Sequence, residues 1–266
     1  MKIRDFEEHE LDLTVWRYMP FTKFISLITY QALWFSKLNI LQDKFEGKMP
    51  KATSEELNKE NQKYKKQFNT PEFHRQIDNW NQENEESGRE LLVVNCWFVD
   101  ENESKGMWQE YGVNNESVAI KSTVRKLTKS VFLPPNETIT SQIGMVSYVD
   151  HDTHKISNYE ANQAIERVFL KDKSFKHEQE LRLATMSFKT VCCVAMNGVP
   201  YTPDEVAGKN MNNYDNAGLY IKTNLKNLIS EVVTHPDSGE WFYLLVCRIV
   251  ELCGIEGIVT KSRIKA

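Results

Sequence analysis

The sequence has no CxxC pair, no apolar stretch of membrane-spanning length and no strong excess of either charge. Its five cysteines (Cys96, Cys192, Cys193, Cys247 and Cys253) are odd in number and two are adjacent. That argues against a disulfide framework or a zinc site and predicts reduced, mostly buried thiols. A membrane span takes about 20 apolar residues, and the longest candidate, Trp241 to Val250, is interrupted by Arg248. Met1 to Glu8 lacks the apolar run of a leader peptide, so the expected setting is reducing, aqueous and cytoplasmic, with no membrane partner. A net charge of −4 sets no global field toward nucleic acid or an anionic membrane. The GxGxxG, GxxxxGKS/T, HExxH and GxSxG motifs are absent, which removes the commonest nucleotide, metalloprotease and hydrolase readings.

What is present is ordinary globular composition: 266 residues, 41% hydrophobic and 26% charged, with 13 Phe, 10 Tyr and 6 Trp to fill a core. Thr14 to Met19 reads as a strand ended by Pro20. Phe21, Phe24, Ile25 and Ile28 then fall on one helical stripe, and Ala32 to Ser36 forms a second strand. From Ser54 to Arg89 the chain turns polar, with apolar residues only at wide intervals (Leu57, Tyr64, Phe68, Phe73, Ile77, Trp80). That pattern predicts a helical insertion with a thin buried edge lying over the core. Leu91 to Phe98 is a continuous apolar run suited to a buried strand. A helix bearing Trp108 and Tyr111, ended at Gly112, and a strand over Ser117 to Ser122 follow.

Later elements are a helix over Val124 to Val131, a strand over Ile143 to Val149 and a helix over Asn158 to Phe169. An alternating strand covers His177 to Thr185, with further strands at Val191 to Met196, Gly218 to Ile221 and Glu231 to Thr234. A short helical turn opens at Leu225, and a last helix places Trp241, Leu244, Leu245, Ile249 and Leu252 inward. A strand over 257–262 ends the chain. Short strands outnumber helices without alternating with them, and no linker divides the chain. The expectation is a single α+β domain over 1–266, with a mixed, largely antiparallel sheet, flanking helices and the insertion at about 54–89.

Three groups of residues could carry chemistry. Arg17, with Tyr18 beside it, offers a guanidinium fork for phosphate or ribose oxygens and a ring for stacking, though it equally suits a sheet surface. Glu178, Glu180 and Arg182 share one face at strand spacing. They form either an exposed, cross-paired edge or a carboxylate aimed into a cleft, where it would stabilise a cationic sugar. Trp108 and Tyr111, at helical spacing, are either core or the walls of a flat-ring pocket. Asp43 and Glu46 are further acidic candidates in the loop after the second strand. Asp150-His151-Asp152-Thr153-His154 collects metal-ligand types, but in one polar turn, so a solvated loop is expected there.

Several segments together resemble a prokaryotic family, domain of unknown function 2971. They are Trp16-Arg17-Tyr18, Leu33-Trp34-Phe35-Ser36, Asp43-Lys44-Phe45-Glu46-Gly47, Met107 to Gly112, Val118 to Lys121, Lys173 to Arg182, and the tail around Leu228 to Pro236 and Lys261-Ser262-Arg263. The layout is also similar to that of ADP-ribosyltransferases, with a basic residue on the first strand, a hydroxyl on a following one and a late Glu-x-Glu. That resemblance implies NAD as cofactor, held by Arg17, Tyr18, Ser36, Trp108, Tyr111 and Arg182. Glu180 would be the catalytic carboxylate and Glu178 its helper, with no metal. The Ser-Thr-Ser triplet of such enzymes is missing, so Tyr111 or Trp108 has to stack the nicotinamide. The implied acceptor is a protein, a nucleic acid or a small molecule. The alternative expectations are a non-catalytic binding or sensor module of a bacterial stress or phage-defence system, and a metal-dependent nuclease using Arg17, Asp43, Glu46 and Glu180.

Overall fold

The structure, a computed structural model, describes residues 1–4, 6–41, 43, 45–79, 89, 92–132, 141–157, 164–186, 217–255 and 258–264. Its strands are β1 (Lys2–Ile3), β2 (Thr14–Pro20), β3 (Ala32–Lys37), β4 (Leu92–Val99), β5 (Ser117–Thr123), β6 (Gln142–Met145), β7 (Ser147–Val149), β8 (Leu170–Asp172), β9 (Glu180–Met186), β10 (Gly218–Lys222), β11 (Glu231–Thr234) and β12 (Ile258–Lys261). The α-helices are α1 (Phe21–Tyr30), α2 (Lys51–Gln67), α3 (Lys105–Tyr111), α4 (Val124–Ser130), α5 (Ala164–Arg167), α6 (Leu225–Leu228) and α7 (Glu240–Leu252), and residues 71–79 are also helical.

Ten strands make one sheet in the order β1-β6-β9-β4-β2-β5-β11-β12, with β3 attached to β4 and β10 to β3. Its pairings are antiparallel except β1 with β6 and β11 with β12. The architecture is therefore the expected α+β one, with a mostly antiparallel sheet and helices at its flanks. Its main core joins Val15, Phe24, Leu33, Trp97, Ile120, Leu127, Leu181 and Phe242. Among the described residues, no helix is long and apolar enough to cross a membrane.

One irregularity of the sheet positions the site. Along one edge β4 pairs with β2 through Phe98 and Val99, and with β3 through Val93 and Val94. On that edge Asn95, Cys96 and Trp97 fall between the two ladders, so β2 and β3 diverge and the sheet forks. The Asn95 side chain partly replaces the missing ladder, donating to the Trp34 carbonyl at 2.8 Å and accepting from the Trp97 indole at 2.6 Å. A fully apolar strand could not satisfy those backbone groups.

Several expectations need correction. The strand expected over Ile143 to Val149 divides at Val146. The Val146 amide still bonds the Glu180 carbonyl, but the next amide turns to Phe169 and starts a separate two-stranded ladder, β7 with β8. The strand expected from His177 starts only at Glu180. Lys173–Glu178 is a 3-10 helix, and Gln179, with φ +38°, reverses the chain between them. Of the inward stripe expected on the last helix, only Ile249 packs against the core. α7 buries Phe242, Val246 and Val250, while Trp241, Leu244 and Leu252 are each more than half exposed. That helix is apolar almost all round, so periodicity alone could not choose its buried face.

The polar segment after residue 50 is helical, as expected; of its expected buried edge Leu57, Phe73 and Ile77 are partly buried, and Trp80 lies outside the described residues. Thr53 is the one buried residue of α2, and Tyr64 and Phe68 are half exposed. His151, expected in a solvated loop, is buried with its ring stacked 5.0 Å from Phe45. Among the described cysteines none is fully buried: Cys96 and Cys247 are half-buried and Cys253 is exposed. Cys192, Cys193, the strand expected over Val191 to Met196 and part of the helix expected from Asn158 lie outside the described residues.

Candidate functional site

The fork between β2 and β3 opens into a cavity of about 610 Å³, a volume suited to a nucleotide-sized ligand. Its wall includes Arg17, Tyr18, Ser36, Tyr111, Glu178, Glu180 and Arg182, so seven of the eight residues expected to form a site border one space. Asp43, Glu46, Cys96, Lys171 and Tyr220 line it as well.

Arg17 leaves β2 at the fork. Its Nη2 reaches the Trp34 carbonyl at only 3.4 Å, its guanidinium lies 5.9 Å from the Trp97 ring, and its Nη1 is shielded from water without a hydrogen-bond acceptor. Burial lowers its pKa to about 10, which still leaves it charged at neutral pH. A protonated guanidinium with an unused N–H in a water-poor wall is a strong attractor for an oxyanion. Lys23 lines the same cavity, and its pKa is lowered by burial and then by the Arg17 charge, so positive charge gathers at this end.

At the opposite end of the chemistry, three carboxylates and two cations interlock. Arg182 spends its whole donor set: Nε on Glu180 Oε1 (2.7 Å), Nη1 on Glu46 Oε2 (2.6 Å) and the Val168 carbonyl (2.6 Å), Nη2 on Glu46 Oε1 (2.6 Å) and Glu180 Oε2 (2.9 Å). A guanidinium has five N–H groups, so none remains for a ligand. The cofactor-binding role expected of Arg182 is thereby corrected: it organises carboxylates. Lys171 donates to Glu178 at 2.5 Å and Glu180 at 3.2 Å, and lies 3.7 Å from Glu46. With all five groups ionised the cluster keeps one negative charge in excess.

The two site carboxylates differ. Glu180 is buried, which opposes its ionisation, but Arg182 and then Lys171 outweigh burial and bring its pKa down to about 2. Both its oxygens are held by cations. Glu178 is tied by Lys171 at one oxygen and, at the other, only by the Tyr111 hydroxyl at 3.2 Å. Burial raises its pKa against the pull of Lys171, and burial and then Glu178 raise that of Tyr111. Glu178 is thus the carboxylate of the pair with one oxygen held by no cation, only by a neutral phenol.

The remaining expected residues are already engaged. The Tyr18 hydroxyl accepts from the Ser104 amide and Ser36 Oγ from the Trp34 indole. Trp108 does not line the cavity. It is buried behind Tyr18, ring edge to face at 4.9 Å, and its indole donates to Glu103. The hydrogen bond that anchors the indole turns it away, while Tyr111 and the Trp34–Tyr220 pair, whose rings lie 4.8 Å apart, are among the aromatic side chains on the cavity wall.

Glu46 arrives on a tight loop. Asp43 Oδ1 accepts from the Phe45 amide at 2.8 Å, and Gly47 sits at φ +71°, where a side chain would be strained and its Cβ would press on Leu38 at 2.7 Å. The sequence offers Glu46 as a loop acid and a candidate of the metal-dependent alternative, and Cys96 only as a buried thiol, while nothing in it singles out Lys171. A buried lysine two residues before the exposed Lys173 carries no distinguishing signal, since its partners Glu178 and Glu180 reach it only through the turn at Gln179. His177, Glu110 and Glu178 also bring ligand-type atoms within 4.8 Å of one another. There the Lys171 ammonium already takes the cationic place beside Glu178.

The depressed pKa of Glu180 has a measurable consequence. The group stabilises the fold fully above the unfolded value near 4.5, and that stabilisation is lost as pH falls toward about 2. The size is on the order of 3 kcal/mol. Tryptophan fluorescence across an acid titration should therefore show stability falling below pH 4.5, with a shallower slope in Glu180→Gln. An unchanged slope in that variant would remove Glu180 as the source.

Residues 107–183 match the model of a family described as Protein of unknown function (DUF2971). The matched stretch carries Tyr111, Lys171, Glu178, Glu180 and Arg182, while Arg17, Ser36, Asp43 and Glu46 precede it. The supported likeness is thus shorter than the one suggested by the chain's scattered motifs. No curated protein and no solved structure matches the chain.

Proposed function

We propose that the cavity binds NAD and that the protein transfers its ADP-ribosyl group. The observation that carries this reading is one cavity bordered by a guanidinium with a spare N–H (Arg17) and by a pair of carboxylates (Glu178, Glu180), with aromatic rings between. Arg17 would hold the pyrophosphate, and Tyr111 or the Trp34–Tyr220 pair would pack against nicotinamide. The bond between the ribose C1′ and the nicotinamide nitrogen breaks, and its electron pair leaves with neutral nicotinamide. The cationic sugar left behind is captured by an acceptor nucleophile or water, which gives up a proton. In this reading Glu178, with its one displaceable partner, accepts the ribose hydroxyl and faces the developing cation. Glu180, clamped by Arg182, is the fixed charge behind it.

One observation favours a second reading, a binding or sensor module without chemistry: Glu180 has no free oxygen. Nicotinamide release separates the two. The protein should release nicotinamide from NAD, and Arg17→Met should raise KM for NAD by roughly 10–100-fold, the worth of a charged hydrogen bond. Because Nη1 has no partner to lose, the melting temperature of Arg17→Met should hold or rise. NAD binding without any release would favour the binding module, and absence of both would end the dinucleotide reading.

A further inference from the structure

Arg17 is not the only unsatisfied polar group in the cavity wall. Asp43 is 5% exposed and lines the same space. Its Oδ1 accepts from the Phe45 amide, but its Oδ2 is shielded from water and has no hydrogen-bond partner. A buried carboxylate oxygen without a donor is costly. Here the cost is compounded, because Glu46 in the same loop adds a second negative charge and is itself fully committed to Arg182. Among the described residues, nothing in the loop's own construction uses Oδ2. The turn is closed by Oδ1, and an asparagine would close it equally well.

We infer that Asp43 is a ligand-binding residue: its Oδ2 accepts a hydrogen bond from an uncharged O–H or N–H group of the ligand whose anionic group sits on Arg17. The cavity thereby selects a molecule that is an anion at one end and a hydrogen-bond donor at the other. Inorganic phosphate has no donor group apart from the anion itself, and a simple cation lacks the anionic end. A sugar phosphate or a nucleotide has both. The naming of NAD as such a ligand rests on the function proposed above, while the donor requirement stands on Asp43 itself. Three kinds of group in NAD could supply the donor: a ribose hydroxyl, the adenine amino group or the nicotinamide carboxamide.

The competing assignment is structural. His151 is near enough for its charge to interact with that of Asp43, with both ring nitrogens unpartnered and its ring held against Phe45, and a hydrogen bond from it to Oδ2 would make Asp43 purely structural. Asp43→Asn separates the two, since it keeps the acceptor for Phe45 and replaces an unsatisfied anionic oxygen by a neutral amide. Calorimetric titration of wild type and Asp43→Asn with NAD, ADP-ribose and ribose 5-phosphate, alongside melting curves without ligand, is the test. The expected result is a melting temperature at or above wild type, with Kd raised at least tenfold for whichever probe the wild type binds. An effect confined to NAD assigns the donor to the carboxamide, one shared by all three probes assigns it to a ribose hydroxyl, and one shared by NAD and ADP-ribose alone places it in their adenosine half. Asp43-dependent binding of ADP-ribose or ribose 5-phosphate with no binding of NAD would sink the dinucleotide reading and leave this one standing. Equal affinity in wild type and variant, a clear loss of thermal stability in Asp43→Asn, or a wild type that binds none of the three probes would each overturn it.

Discussion

Arg182→Met is expected to lower the melting temperature by roughly 6–20 °C at neutral pH, corresponding to a loss of about 3–5 kcal/mol. The side chain is 1% exposed, and methionine fills much of its volume, so the effect does not come from a cavity. It comes from what is left behind. Glu46 loses both of its guanidinium bonds, Glu180 loses two, and Lys171 alone must serve three buried carboxylates. Truncating one partner of a buried ion network costs far more than the network is worth, because the survivors stay charged without water. The sign of the pH dependence follows. Without Arg182, only Lys171, shared among three carboxylates, opposes burial, so the Glu180 pKa rises and ionisation costs stability that it did not cost before. Lowering the pH from 7 toward 5 should narrow the gap between variant and wild type. Adding Glu46→Gln to Arg182→Met should likewise recover part of the loss. A variant melting within 2 °C of wild type would mean that the five bonds of Arg182 are not the latch of this site.

That network also shows where sequence reading reaches its end. Local pattern is enough for β2, α1, β3, β4 and β5, because each is a short apolar run bounded by proline, glycine or a polar turn. It is enough, too, to put Glu180 and Arg182 on one face of β9, but Glu178 joins them through the reversal at Gln179 and not by strand spacing. What it cannot supply is the pairing of Arg182 with Glu46, 136 residues apart, and without that pairing Arg182 reads as a phosphate binder. The same blindness hides Lys171. The fork of the sheet depends on β4 serving two partners on one edge, a property of register that no single strand displays. For α7 the difficulty is different: apolar residues on nearly every face allow two stripes, and only tertiary packing selects Phe242, Val246 and Val250 over Trp241, Leu244 and Leu252.

Glu178→Gln should reduce the rate of nicotinamide release by roughly 10²–10³-fold, the usual worth of one preorganised group facing charge in a transition state. The glutamine keeps the shape of the side chain and an acceptor for the Tyr111 hydroxyl, so NAD should still bind with an affinity within about threefold of wild type. The loss would then appear in kcat and not in KM, as expected for an interaction made only when the sugar becomes cationic. Glu180→Gln makes the contrast. Its carboxylate faces Arg182 and Lys171 with both oxygens, so removing the charge should mainly lower the melting temperature and disturb turnover only through a displaced Arg182. The wild-type pH profile supplies a second readout. Because Glu178 has a raised pKa, kcat should climb with pH through a value above the ordinary 4.5 of a glutamate, and that limb should vanish in Glu178→Gln. If Glu178→Gln turns over NAD at the wild-type rate while Glu180→Gln is well folded and inactive, the two carboxylates hold the opposite roles. The resemblance to ADP-ribosyltransferases would then have assigned them better than their hydrogen bonds do.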